Sequence, residues 1–173
     1  PKAERNDTTS VFASDLDGDG KLEIGCSASC WRGYDLHVYR YDDPSGTFVL
    51  LAESPKLGSI GGALPFDFDG DGKSEIIAAM TSYEAVNRAV FPAGSGHRGN
   101  PEGVYIYRLE EAGEGRELRE LYRDELGDTI ADAPDILQCE NISAGMLPAS
   151  RGDSTDRPAI LVSWQRIKAG RKV

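Results

Sequence analysis

Short apolar runs broken by glycine, proline and aspartate recur along the whole chain, which is the rhythm of strands and turns. Two stretches repeat that rhythm in the same order. Val11-Phe-Ala13 and Gly62-Ala-Leu-Pro-Phe66 each precede an acidic loop, and Ile24-Gly-Cys-Ser-Ala28 and Ile76-Ile-Ala-Ala-Met80 each follow one. The second pair is small and apolar enough to form buried strands. An alternating segment comes next, Leu36–Tyr41 in the first copy and Val104–Leu109 in the second, with tyrosines on one face and β-branched residues on the other. Turns follow at Asp42-Asp-Pro-Ser-Gly46 and Glu110–Gly115. Phe48-Val-Leu-Leu51 then reads as a closing strand. Its counterpart Leu118–Tyr122 also fits helical spacing, but strand is expected because the matching segment is one.

Asp67 lies 52 residues after Asp15, and the flanks of both loops match, so the chain is built on an internal repeat. Each copy reads as strand, acidic loop, strand, strand, strand. That is a four-stranded antiparallel meander, the blade of a β-propeller. The expected fold is therefore all-β: one blade over residues 1–56, a second over 57–126, and a degenerate, incomplete third over 127–173. The third copy begins at Asn141-Ile-Ser-Ala-Gly-Met-Leu147, keeps only Asp153 and Asp156 in its loop, and continues into the strand Ala159–Trp164. The second copy carries a Gly/Pro-rich insertion at 82–101, either a binding loop or a tolerated decoration. A closed propeller takes at least about four blades. These blades are thus expected to belong to a larger or oligomeric propeller that covers their edges.

The loops carry the chemistry. Calcium takes six to eight hard oxygens in flexible geometry. Aspartates at the first, third and fifth positions of a tight loop, a main-chain carbonyl at the seventh and an acid at the ninth supply such a shell. The candidate ligands are Asp15, Asp17, Asp19, Lys21 (main chain only) and Glu23, and then Asp67, Asp69, Asp71, Lys73 (main chain only) and Glu75. Gly20 and Gly72 permit the sharp turn between them. An EF-hand needs a bidentate Glu at the twelfth position. Here Cys26 and Ala78 stand there, and apolar strands flank the loops. Magnesium, which keeps its waters and demands octahedral geometry, fits less well. Two Ca²⁺ sites are expected.

Composition agrees with this. The net charge of −10 argues against nucleic-acid binding, and eight of the carboxylates lie in the two loops. No run of eighteen apolar residues is present, so no membrane insertion is expected. The chain opens on Pro1 without an initiator Met or a signal-peptide pattern and reads as a mature or excised piece.

The segments Gly61-Gly-Ala-Leu-Pro-Phe-Asp-Phe-Asp-Gly-Asp-Gly-Lys-Ser-Glu-Ile-Ile77 and Ser14–Ile24 resemble the FG-GAP/VCBS family, the blades of integrin α-subunit propellers and many secreted proteins. The resemblance implies a calcium ion in the inter-strand loop of each blade, a role in holding the first two strands, and an extracellular or periplasmic location. Glu at the ninth position departs from the usual Asp, and the third loop lacks most ligands. The motif specifies the fold and says little about a ligand. The expected function is a calcium-stabilised scaffold or recognition surface for a protein or glycan. The alternative is part of a secreted propeller enzyme acting on carbohydrate, of polysaccharide lyase or sugar dehydratase type, which would need a convergent cluster of His, Tyr, Arg and carboxylates.

Other signals weigh less. No catalytic or cofactor-binding residue is assigned, and neither His37 nor His97 has a convergent Ser or Cys constellation. Trp31-Arg-Gly-Tyr34 reads as core capping, with stacking on a sugar as the alternative, Arg151-Gly-Asp153 as a chance triplet, and Asn6 and Asn141 as glycosylation sequons usable only where the source glycosylates. Buried free thiols are the favoured reading of the cysteines, and if a disulfide forms, Cys30 with Cys139 is a more plausible pair than Cys26 with Cys30. Extracellular calcium modules bind at roughly 10⁻⁴–10⁻³ M. At ~10 times the dissociation constant each site stabilises by about 1.4 kcal/mol, so two contribute roughly 3 kcal/mol.

Overall fold

The computed structural model describes residues 8–28, 35–55, 57, 59–81, 103–125, 136–149 and 155–167. All regular structure among these residues is β. The first sheet has strands β1 (Val11–Ser14), β2 (Glu23–Ala28), β3 (Asp35–Asp42) and β4 (Thr47–Glu53), ordered β1-β2-β3-β4. The second has β5 (Ser59–Phe66), β6 (Glu75–Thr81), β7 (Gly103–Ala112) and β8 (Gly115–Glu125), again in sequence order. A two-stranded hairpin, β9 (Ile136–Leu147) and β10 (Arg157–Ile167), begins a third unit. Every pairing is antiparallel.

Each four-stranded unit is thus the meander read from the sequence, and Leu118–Tyr122 lies within a strand. One boundary differs. β9 starts at Ile136, five residues before the Asn141 start read from the repeat, because it pairs along the full length of β10. The repeat extends to irregularities: β3 and β4 carry a register shift at Val38/Tyr39, and β7 and β8 carry one at the equivalent Ile106/Tyr107. The insertion at 82–101 lies outside the described residues, as do Asn6, Cys30, Trp31–Tyr34, His97 and Arg151–Asp153.

The sheets stack face to face, which explains the alternation. Leu36 and Val38 on β3 and Ala52 on β4 turn toward the second sheet, where Ile76, Ala78, Met80, Tyr105, Tyr107 and Leu109 complete one buried cluster. The opposite face of the second sheet meets the hairpin, with β5 and β6 lying against β9. β6 is covered on both faces, so every residue from Glu75 to Thr81 is buried. That double cover is why its sequence reads as a continuous small apolar run and not as an alternation. Polar links join the first two sheets: Thr9 Oγ1 donates to the Ile60 carbonyl at 3.2 Å, and Ser10 Oγ accepts from Ala63 N–H at 2.8 Å.

Close strand approach makes one glycine indispensable. A Cβ on Gly103 would meet the Asp124 carbonyl oxygen at 2.2 Å, a backbone atom that cannot swing aside. On β9, Gly145 has open space where its Cβ would point. Gly103→Ala should destabilise the chain by about 1–3 kcal/mol in urea unfolding, while Gly145→Ala stays within roughly 0.5 kcal/mol of the parent. Equal effects would mean that the β7–β8 packing is misplaced.

Candidate metal centres

Both acidic loops bridge the first two strands of their sheets, β1–β2 and β5–β6. Their backbone is wound by carboxylates that accept from main-chain N–H groups. Asp15 Oδ1 accepts from Gly18 N–H at 2.7 Å and Oδ2 from Gly20 N–H at 2.9 Å. Asp67 does the same with Gly70 at 2.7 Å and Gly72 at 3.0 Å. Asp17 and Asp69 accept from Asp19 and Asp71, and these in turn from the N–H groups of Lys21 and Lys73. Gly18, Gly20, Gly70 and Gly72 all sit at positive φ, 77–87°, which the alternating Asp-Gly sequence supplies.

This winding gathers carboxylate oxygens of Asp15, Asp17 and Asp19 within 4.8 Å of one another, and likewise those of Asp67, Asp69 and Asp71. The ninth-position acids are held differently. Glu23 is fully buried, and its Oε2 accepts from Leu16 N–H at 2.9 Å. Glu75, 1% exposed, accepts from Phe68 N–H at 2.9 Å. Each glutamate therefore closes the strand end of its loop from beneath. The side chains of Lys21 and Lys73 point outward, and the Lys73 stem lies against Gly18, where a Cβ would come within 2.9 Å of Lys73 Cε.

Sequence reasoning missed the cations behind each loop. Arg40 on β3 spans the first: its Nη2 lies 2.7 Å from Glu23 Oε1 and 3.3 Å from Asp19 Oδ2, and it also bonds Asp17 Oδ2. Arg108 on β7 spans the second, with Nη2 at 2.6 Å from Asp69 Oδ2, Nε at 2.8 Å from Glu75 Oε1 and Nη1 at 3.7 Å from Asp71 Oδ2. The signal was present in the matched pairs Tyr39-Arg40 and Tyr107-Arg108. A third cation crosses between sheets: Arg116, on β8, bonds Asp17 in the first loop. The two loops also touch directly, Ser74 N–H donating to the Asp15 carbonyl at 2.9 Å and Ser14 Oγ to Ser74 Oγ at 2.8 Å.

Electrostatics follow from this. Burial pushes the Asp17 carboxyl up, but the Asp19 N–H and the Arg40 and Arg116 guanidinium groups outweigh it and hold the group below its ordinary value. Asp69 is held low chiefly by its Arg108 hydrogen bond, and the same partners, Asp69 first and then Glu75, raise Arg108. Beside the second loop a cavity of about 520 Å³ opens between the second sheet and β10, with Arg108, Tyr122, Pro158 and Ile160 in its wall.

The donor set suits a hard cation. Each carboxylate has about four lone-pair sites, so Asp15 and Asp67, whose oxygens each accept one main-chain N–H, keep room for a metal, while a metal would share Asp17, Asp19 and Asp69 with the guanidinium groups. Asp15, Asp17, Asp19 and Asp67, Asp69, Asp71 would hold the ion from their sides, with Lys21 and Lys73 offering carbonyls. In the third unit the described residues show Asp156 accepting from Ala149 N–H at 2.9 Å.

Removing a guanidinium strands a buried carboxylate. Arg108→Ala should cost about 3 kcal/mol in urea unfolding, and adding Glu75→Gln should recover part of it, since the amide oxygen still accepts from Phe68. No loss in the single variant would refute the clamp. For Asp17 the lowered folded value means that its contribution is present above about pH 4 and is lost as the pH falls below that. Asp17→Asn should therefore flatten the acid limb of the stability profile, and an unchanged limb would count against it.

Comparison with known proteins comes down on the same residues. No curated protein matches the chain. The family model for an FG-GAP-like repeat matches residues 15–78, a stretch running from the first aspartate of the first loop to the strand after the second. Over that stretch the chain is similar to the FG-GAP-like repeat family.

Proposed function

We propose that the chain is a calcium-binding β-propeller repeat module of an extracytoplasmic protein, in which two Ca²⁺ ions hold the blades and the surrounding loops serve as a scaffold or recognition surface for a protein or glycan. The single observation that carries this reading is the convergence of three aspartates at the same place in each of two stacked sheets, within 4.8 Å in both. Hard carboxylate oxygens in a glycine-wound turn that joins two strands suit calcium in a structural role. The FG-GAP-like repeat and the all-β blades support the architecture. No helix among the described residues is long and apolar enough to cross a membrane.

The arginines fit a supporting role for the metal. In each loop one guanidinium faces carboxylates from the loop's far side and from the buried glutamate, so it offsets part of their repulsion before any ion arrives. Calcium then adds to a turn already shaped to receive it, and the ordering cost of binding falls. Because Arg116 and Ser74 tie the first loop to the second sheet, an ion there stiffens the contact between blades as well as one blade.

Isothermal calorimetry tests this directly. The chain should take up two calcium ions with dissociation constants of roughly 10⁻⁴–10⁻³ M. Asp17→Asn should remove one of them and Asp69→Asn the other. Absence of calcium binding, or a stoichiometry that neither substitution changes, would refute the assignment.

A further inference from the structure

A second cluster of metal-ligating side chains lies on the face of the first sheet turned away from the second. Asp35 and His37 project from that face of β3, and Glu53 projects from β4 directly opposite His37 in the register. One ligand atom from each lies within 4.8 Å of the other two. His37 Nε2 stands 3.6 Å from Glu53 Oε1 and 4.0 Å from Asp35 Oδ2. These separations exceed the roughly 3.2 Å limit of an N–H···O bond. They approach the spacing of donors that share one metal: bonds of about 2.1 Å at tetrahedral angles place neighbouring ligand atoms about 3.4 Å apart.

The histidine is set up as a ligand. Its Nε2 is buried and has no hydrogen-bond partner among the described residues. Its other nitrogen, Nδ1, lies 2.9 Å from the Tyr39 hydroxyl, an outer contact of the type that fixes the ring and tautomer of a metal-bound imidazole. Asp35 is 7% exposed, while the Glu53 side chain is half open to solvent and gives an ion a way in.

The cluster is not a requirement of the blade. In the second sheet the equivalent places hold Gly103, Tyr105 and Arg123, with the Arg123 guanidinium 5.1 Å from the centre of the Tyr105 ring. The same backbone therefore closes without ligands there. The ligand set also differs in kind from the loops. One imidazole nitrogen with two carboxylates suits zinc-class ions, whereas the all-oxygen loops suit calcium.

We propose that Asp35, His37 and Glu53 form a site for a divalent transition metal of the zinc class, separate from the acidic loops and carried, among the described residues, by the first blade. Three protein ligands leave a coordination position for water or for a donor from a neighbouring surface.

The test is a titration of the tag-free chain with Co²⁺, then displacement by Zn²⁺, in excess calcium so that the Asp-rich loops are saturated. Ligand-field absorption should report uptake of a single equivalent of Co²⁺, with intensity typical of four-coordination, and Zn²⁺ should abolish the signal. His37→Gln and Glu53→Gln should each weaken uptake at least tenfold without changing calcium stoichiometry, and Tyr39→Phe should weaken it by about tenfold through loss of the outer contact. Glu53 is half exposed, so its variant keeps the test open should substitution of His37 disturb folding. Absence of cobalt uptake, or uptake that survives both His37→Gln and Glu53→Gln in folded protein, would overturn the proposal.

Discussion

Four carboxylates wound into one short turn repel each other, and the two sheets are organised around supplying the charge that holds them. Arg40 and Arg108 do this from the third strand of each unit, reaching the loop between the first and second. The reach fixes several things together. It sets which face of the third strand looks toward the loop, it places the buried Glu23 and Glu75 between guanidinium and backbone, and it ties three strands at one end. Placed in the apolar interior alone, either glutamate would be costly. Paired on one oxygen and bonded to an N–H on the other, it becomes a fixed point of the fold.

Stacking extends the same logic from one sheet to the next. The first loop is completed by neighbours from the second unit: Arg116 meets Asp17, Ser74 meets both Ser14 and the Asp15 carbonyl, and Lys73 covers Gly18. A repeat of this type does not carry its polar network alone, just as it does not bury its apolar face alone. The order of units along the chain thus becomes an order in space. Calcium in the loops, as proposed, would act on a structure whose inter-unit contacts already converge there.

The sequence made the meanders legible because two copies agreed on strand, loop and turn, and agreement removed the helix reading at Leu118–Tyr122. The clustering of the aspartates in one turn was equally legible, since alternating Asp and Gly dictate both their spacing and the positive φ. The arginines were not. Arg40 and Arg108 lie 23 and 39 residues from the loop aspartates they meet, and only their matched position after a tyrosine hinted at a shared task. The role of Glu23 and Glu75 was half visible: acidity at the ninth position pointed to the loop, but their burial and N–H partners depend on how strands close beneath it. Asp35, His37 and Glu53 were invisible as a group, because a cross-strand register brings Glu53 to His37 and no local spacing records it. The 82–101 insertion, Cys30 and residues 150–154 of the third loop fall outside the described residues, so their readings stand as expectations from sequence.

The central claim is that metal in the two loops holds the stacked blades together. Its most direct test is equilibrium unfolding by urea in saturating calcium and in EDTA, at one pH and ionic strength. The account predicts a lower midpoint in EDTA, with a loss of about 3 kcal/mol for two sites and an unchanged denaturant slope, since the same surface is exposed either way. Coincident unfolding curves in calcium and in EDTA would contradict it.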